Sequence, residues 1–360
     1  MTIKKLAILI GISLITLGLM VNPAVAKKPS LAAWKADFDP SGAKYRCIVS
    51  NVSHPVIKGV YAGFAFRDEL WKRTNGQIYI DYKPFSMLGG EVEVLNQLQM
   101  GAIQGMGVSS VAAVNLGPRF GLVNLPFLIN SFEKLDKFAA SGQLFDHFMM
   151  AMDHQGIIGI DITGYGNYGW ATTTPVRSIA DAKKLKFRTA EAPVNQLIYR
   201  EWGINPVAMP WPDVPVALKQ GVIDGLDHTP MVCSITKKFE VAKYFTYLDY
   251  AQGLFIWIFN KAWFNKLPMD LQKTFKETLH DVAAKIRVET KTQEAIQIMN
   301  SSRKGILYFK LPDAEMTILR KKGDLAHKKF AKEINKLYPG DTYRPADYLG
   351  EVQAFIGYMP

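Results

Sequence analysis

The sequence predicts an α/β fold, and three observations carry that expectation. Strand-like and helix-like stretches alternate along most of the chain, with no repeat or low-complexity tract between them. A final helical pattern over 267–305 places Leu271, Phe275, Leu279, Val282 and Ile286 at helical spacing and meets no breaker. Helices of that length often bridge domains.

The elements follow in order. "KYRCIVS" at 44–50 reads as a strand, and 54–76 as a helix opened near Pro55 and stopped by Asn75-Gly76. "QIYIDYK" alternates as a strand, "EVEVLNQLQMG" is an amphipathic helix closed by Gly101, and "AIQGMGVS" is again strand-like. After "LPFLI" a helix is expected from about Ser131 to Asp153, then two separate strands, "GIIGIDIT" and "GWATTT". A strand through "KLKFR" precedes the helix "PVNQLIYREWG", the strand "INPVAM", the helix "PDVPVALKQG" and the strand "VIDGLDH". "GLFIWIFN" forms the last apolar strand before the long helix. Residues 27–41 and the Pro/Gly-bearing tail from Tyr338 read as poorly ordered or peripheral ends.

Lys4 and Lys5 precede an apolar run from Leu6 to Val21, and Ala24-Val25-Ala26 is a small-residue cleavage site. Residues 1–26 are therefore expected to be a secretory signal peptide, and the bacterial periplasm is the expected location. The run is shorter than the roughly 20 residues that a membrane span needs.

The chain of 360 residues carries a net charge of +11, or +9 once Lys4 and Lys5 leave with the signal. Its lysines are scattered among acids, without the aromatic-interleaved basic stripe that nucleic acid requires, so nucleic acid is not an expected partner. Cys47 and Cys233 lie far apart and are expected to be free and buried. Neither CxxC nor metal-spaced histidines occur, and the chain lacks a Walker loop, GxSxG and HExxH. "GYGNYG" at 164–169 matches GxGxxG, but β-prone "WATTT" and Pro175 follow it instead of a helix, so a crossover between domains is expected there. No catalysis and no cofactor are expected.

One short segment raises a question of charge. In "KKLKFRTAEAP", Arg188 closes an alternating run just before Ala192-Pro193 can start a helix. A permanent charge there either meets an external anion or pairs with an acid of the chain such as Glu191 or Asp227.

Several segments, taken together and in order, resemble a known family. "SMLGGEVEVLNQLQMGAIQ", "LPFLI", "PVRSIADAKKLKFRT", "GINPVAMPWPDVPVALKQGVIDGLDHTP", "FEVAKYF" and "LPMDLQ" are similar to the DctP-type substrate-binding proteins of TRAP (tripartite ATP-independent periplasmic) transporters. The resemblance implies a two-domain, periplasmic-binding-protein-like α/β fold with an interdomain cleft. It also implies a small organic anion as ligand and the membrane permease subunits of a TRAP transporter, driven by an ion gradient, as partners. The expected division is 40–165 plus about 252–286, then 166–251 plus about 287–336, with 337–360 as a tail; a monomer is expected.

The resemblance further implies that Arg188 clamps a ligand carboxylate and that Glu91 occupies a cleft position, although at a helix start Glu91 also suits the helix dipole. Where many members have "DGQEN", this chain has Asp224-Gly225-Leu226-Asp227-His228. Where sugar-acid-binding members carry a second arginine, it has Tyr168 near Trp170. Trp211 occupies a commonly aromatic position, Glu191 reads either as a partner for a ligand amine or, at least as well, as a solvated acid, and Asp227 and His228 join the expected site. Rings in place of charges favour an aromatic or apolar monocarboxylate or keto acid. His228, if protonated, would add a second positive charge and favour a C4-dicarboxylate instead. Trp170 and Tyr168 read equally well as core. The rival functional class is an exported α/β enzyme.

Overall fold

The structure is a computed structural model that describes residues 31–359. The expected signal peptide lies outside the described residues. Residues 36–360 form one compact unit.

Tyr45–Ser50 (β1) leads to Lys58–Arg73 (α1). The helix starts at Lys58 and not near Pro55, because His54 to Ile57 form a turn in which the Ile57 N–H donates to the His54 carbonyl at 3.0 Å. Ile78–Lys83 (β2), Glu91–Gln99 (α2), Gly105–Ser109 (β3) and Ser110–Ala113 (α3) follow. The single helix expected over 131–153 is two, Phe132–Ala139 (α4) and Gln143–Met149 (α5), parted at Gly142 in a conformation with φ of 59°.

Ile157–Thr172 (β4) is one strand where two were expected, and it runs straight through "GYGNYG". Beyond it come Ile179–Ala182 (α6), Phe187–Thr189 (β5), Pro193–Trp202 (α7), Pro206–Ala208 (β6), Val214–Lys219 (α8), Gly225–His228 (β7) and Pro230–Ile235 (α9). Tyr244–Asn260 (β8) extends the "GLFIWIFN" strand by nine residues toward the N-terminus. Lys261–Phe264 (α10), the long helix Met269–Arg303 (α11), Leu307–Lys310 (β9), Asp313–Ile334 (α12) and Tyr348–Ile356 (α13) complete the chain.

The strands make one sheet in the order β2-β1-β3-β8-β4-β7-β5-β6, with β9 against β8. Strands β1, β2 and β3 run parallel, as do β5, β6 and β7, while β4 and β8 are antiparallel to each other and cross both groups. The early part of β4 pairs with the late part of β8 beside β3; its last residues pair with the start of β8 and with β7. The pairing shifts register between Gly164 and Gly169, so the sheet is irregular where the two groups meet.

Each group has its own core. Leu95, Met106, Leu128, Phe148, Ile162 and Ile256 belong to one cluster, and Ala171, Val214, Leu226, Cys233, Phe245 and Ile306 to another. The α11 helix touches both parts. Arg287 donates to Asp161 at 2.9 Å on the first side, and Gln297 accepts from Ser234 Oγ at 3.0 Å on the second. At the junction, Glu294 accepts the Asn167 N–H at 2.8 Å. Gly166, with φ of 102°, leaves the space: a Cβ there would lie 2.2 Å from Glu294 Oε1.

The tail from Tyr338 is not peripheral. Tyr348, Leu349, Val352 and Ile356 are buried in the first core, and Arg119 forms a buried ion pair with Asp341 at 2.7 Å. Its alternation with Pro and Gly hides an apolar stripe that only the helix α13 brings onto one face. Cys47 and Cys233 are free and buried.

Candidate functional site

The strand ends decide where the pocket sits. In an open α/β sheet ligands bind beyond the carboxyl ends of the parallel strands, and here both parallel groups end at the same pocket. Past β1 stand Val52 and Ser53, and past β3 stands Val111. Strand β5 supplies Arg188 and β7 supplies Asp227 and His228. Tyr165 and Tyr168 from the irregular part of β4, together with Phe255 from β8, form the wall between. The space enclosed is about 30 Å³, room for little more than a water or two.

Arg188 is 5% exposed, and among the described residues no carboxylate lies within 4.0 Å of it. Pairing with Glu191 or Asp227 is therefore absent. Its Nε and Nη2 both donate to the Met209 carbonyl, at 3.0 and 2.7 Å, and the Trp211 ring lies beside the guanidinium at 5.6 Å. That geometry occupies one side of the fork and leaves the end-on edge, Nη1 with the second Nη2 hydrogen, for a planar acceptor. Burial lowers the Arg188 pKa, opposed by Tyr168, Glu91 and Asp227 nearby; a guanidinium nonetheless remains charged.

Glu91, the first residue of α2, lines the pocket with its carboxylate held at 2.7 Å by both the N–H and the Oγ–H of Ser109. Burial raises its pKa against those two bonds. Glu191 is exposed and stands at the outer mouth with Glu91, Met209 and Trp211.

Asp227 is 3% exposed and accepts the Tyr250 hydroxyl at 2.6 Å through Oδ2, while its Oδ1 has no partner. Burial raises its pKa to about 7, against the stabilising influence of Tyr250, Tyr199, Arg188 and Asn195. His228 accepts the Thr229 N–H on Nδ1 at 2.9 Å, which puts its own proton on Nε2. Burial, Arg188 and Lys238 hold its pKa well below the usual value, so the ring is neutral. His228 therefore offers an N–H and not a second positive charge.

Tyr168 lines the pocket and shares a 2.7 Å hydrogen bond between hydroxyls with Tyr165. Trp211 lies against His228, with ring centroids 4.6 Å apart and planes tilted by 43°, and carries the buried ammonium of Lys238 at 4.1 Å over its ring. Trp170 is not in the pocket. It is fully buried against Phe187 and Trp202, with its indole N–H donating to Tyr199 at 2.8 Å. Directly opposite Asp227 on β7, it points under α7, past the end of the cleft.

Sequence reasoning missed Ser53, Ser109, Asn195, Phe255 and Lys238. Asn195, on α7, is 4% exposed with its Oδ1 unpartnered. A polar residue recurring one helical turn from apolar neighbours is the signal that was available for it. Among the described residues no cluster of His, Cys, Asp or Glu could hold a metal ion, and no helix is long and apolar enough to cross a membrane.

Comparison with known proteins shows the family and the fold. The model of the family "bacterial extracellular solute-binding protein, family 7" (DctP) matches residues 49–333. A 2,3-diketo-L-gulonate-binding periplasmic protein of Escherichia coli is 29% identical over 58% of this chain and 63% of its own length. A C4-dicarboxylate-binding periplasmic protein of Rhodobacter capsulatus is 28% identical over 71% of this chain and 78% of its own. The match with the first of these thus spans less than two thirds of that relative. Among solved structures, a TRAP periplasmic solute-binding protein of Desulfovibrio salexigens with bound orotic acid superposes with a TM-score of 0.80 at 18% identity, covering 87% of this chain and 99% of that one. One from Shewanella oneidensis with bound succinate gives 0.79 at 21% identity, covering 87% and 100%. The two-domain fold is shared with them.

Proposed function

Because the chain belongs to bacterial extracellular solute-binding protein family 7, we propose that it is a periplasmic receptor that captures a small organic carboxylate and delivers it to TRAP permease subunits driven by an ion gradient. The observation that carries the reading is Arg188: a buried guanidinium, fixed side-on by Met209, with no carboxylate of the chain against it. An unpaired buried charge is costly, and a ligand carboxylate on the open edge offsets that cost with two charge-assisted bonds.

The enclosed space of about 30 Å³ is too small for such a ligand, so its arrival requires the walls to part. Those walls come from both strand groups, joined through β4, β8 and α11. The division at about 165/166 and 251/252 is the natural place for that opening, and closure would strengthen the Arg188 pair by removing water. The rings of Tyr165, Tyr168, Trp211 and Phe255 favour a ligand with a planar or apolar body over a bare polyol. C4-dicarboxylates and sugar acids are the alternatives, since similar proteins are named for or contain them.

A thermal-shift screen of organic acids on residues 27–360, followed by calorimetry, tests this. One ligand should bind per chain, depend on Arg188, and be recovered chemically unchanged by mass spectrometry. Turnover of a stabilising acid by intact protein would instead establish the enzyme.

A further inference from the structure

The pocket that presents the Arg188 cation also contains two buried acceptors with nothing to accept. Asp227 uses Oδ2 for the Tyr250 hydroxyl and leaves Oδ1 without a partner; Asn195 leaves its Oδ1 without one. Both residues line the pocket and both are at least nine-tenths buried, 3% and 4% exposed. No Lys, Arg or His nitrogen lies within 4.0 Å of Asp227 among the described residues. Buried carboxylate and amide oxygens are nearly always hydrogen-bonded in folded proteins, so two unmatched oxygens on residues that line one pocket mark what an occupant can bring.

We propose that the ligand carries, besides its carboxylate, a hydrogen-bond donor, a hydroxyl or N–H, that is taken by Asp227 Oδ1 or Asn195 Oδ1. The inference rests on the carboxylate-receptor reading and narrows it. Where Asp227 is ionised, above its pKa of about 7, a second carboxylate meets lone pairs on both oxygens and is repelled, whereas a hydroxyl or N–H donates to one of them. The other polar groups agree with this division of labour: the neutral His228 offers its Nε2–H, and the Arg188 fork its open edge, so donors of the protein gather for the carboxylate while acceptors remain for the donor. Tyr250 and Tyr199, packed behind Asp227, hold its carboxyl in place. A site built to bond a hydroxyl discriminates strongly against the analogue without it, because the loss leaves buried groups unpaired.

The test is calorimetry of residues 27–360 with matched acids: 4-hydroxybutanoate against butanoate and succinate, and 4-hydroxyphenylacetate against phenylacetate and 4-methoxyphenylacetate. In at least one set the hydroxy acid should bind tenfold or more tighter than its hydroxyl-free and O-methylated counterparts, and succinate should not exceed 4-hydroxybutanoate. In Asp227→Asn, checked for an unchanged fold by circular dichroism, the ratio of affinities between the hydroxy acid and its hydroxyl-free counterpart should shrink to threefold or less. Butanoate, phenylacetate or succinate binding as tightly as the hydroxy acids overturns the donor requirement and leaves the carboxylate receptor standing. Binding of none of the acids overturns both.

Discussion

Arg188 and Met209 are joined side-on: one carbonyl oxygen takes both Nε at 3.0 Å and Nη2 at 2.7 Å, so the guanidinium cannot rotate in its plane. A lysine keeps the charge but has neither the planar pair of parallel donors nor the fixed plane. Arg188→Lys should therefore weaken carboxylate binding by about 1.5–3 kcal/mol, the range for hydrogen bonds to charged groups. Calorimetry with any acid found to stabilise the protein measures it, and undiminished affinity would remove Arg188 from the site.

Two buried carboxyls make stability depend on pH. Burial raises Asp227 from 3.8 and Glu294 from 4.5, each to about 7. Both hold their protons more tightly in the folded chain than in the unfolded one, so unfolding releases protons in that window and stability falls as pH rises from about 4 to 7. For Asp227 the change amounts to roughly 4 kcal/mol at most, at about 1.4 kcal/mol per pH unit. Asp227→Asn should flatten the decline in urea midpoint between pH 4 and 7; an equally steep slope would show that this carboxyl does not carry it.

The two tryptophans first grouped together should separate under mutation. Trp211 lies between Lys238 and the pocket, so Trp211→Ala should cost aromatic acids about 0.5–1.5 kcal/mol more than aliphatic ones of similar length. Trp170→Ala opens a cavity beneath α7 and should lower stability by about 3–5 kcal/mol. Parallel melts and titrations of both variants distinguish the roles; a selective loss of aromatic ligands in Trp170→Phe would contradict them.

Gly166 is a backbone requirement at the junction of the two strand groups. With φ of 102° and Glu294 Oε1 only 2.2 Å from where a Cβ would stand, Gly166→Ala should destabilise the protein by about 1–3 kcal/mol. A denaturant titration showing unchanged stability would mean that β4 can repair this segment at no cost.

The placement of Arg188 at a strand end just ahead of Pro193 was legible in the local pattern, but the choice between a ligand anion and an acid of the chain as its partner came only from the family resemblance. Trp170 was not, since alternation says which face of β4 a residue takes but not how far along the strand the cleft extends, and the register shifts at 164–169 break the count. The same glycines made β4 look like two strands. Asp227 and His228 were found as positions, but the proton on His228 Nε2 depends on the Thr229 N–H, which only the turn after β7 brings to it. Lys238 comes to lie over the Trp211 ring through tertiary packing of the segment after α9, for which a single sequence carries no marker.

The shared strands also set the timing of folding. Strand β3 takes β8 as its neighbour, so the sheet begun at residue 45 lacks its middle until residues 255–260 exist. The core beneath it then waits for Ile334, Tyr348 and Ile356, near the very end of the chain. Neither part is an uninterrupted stretch that a ribosome could complete first. Contacts of such long sequence separation slow folding and keep the chain open while it is being made. A nascent chain of this protein therefore stays without its first native core until residues 348–356 have been made, and removal of that segment takes away part of the core.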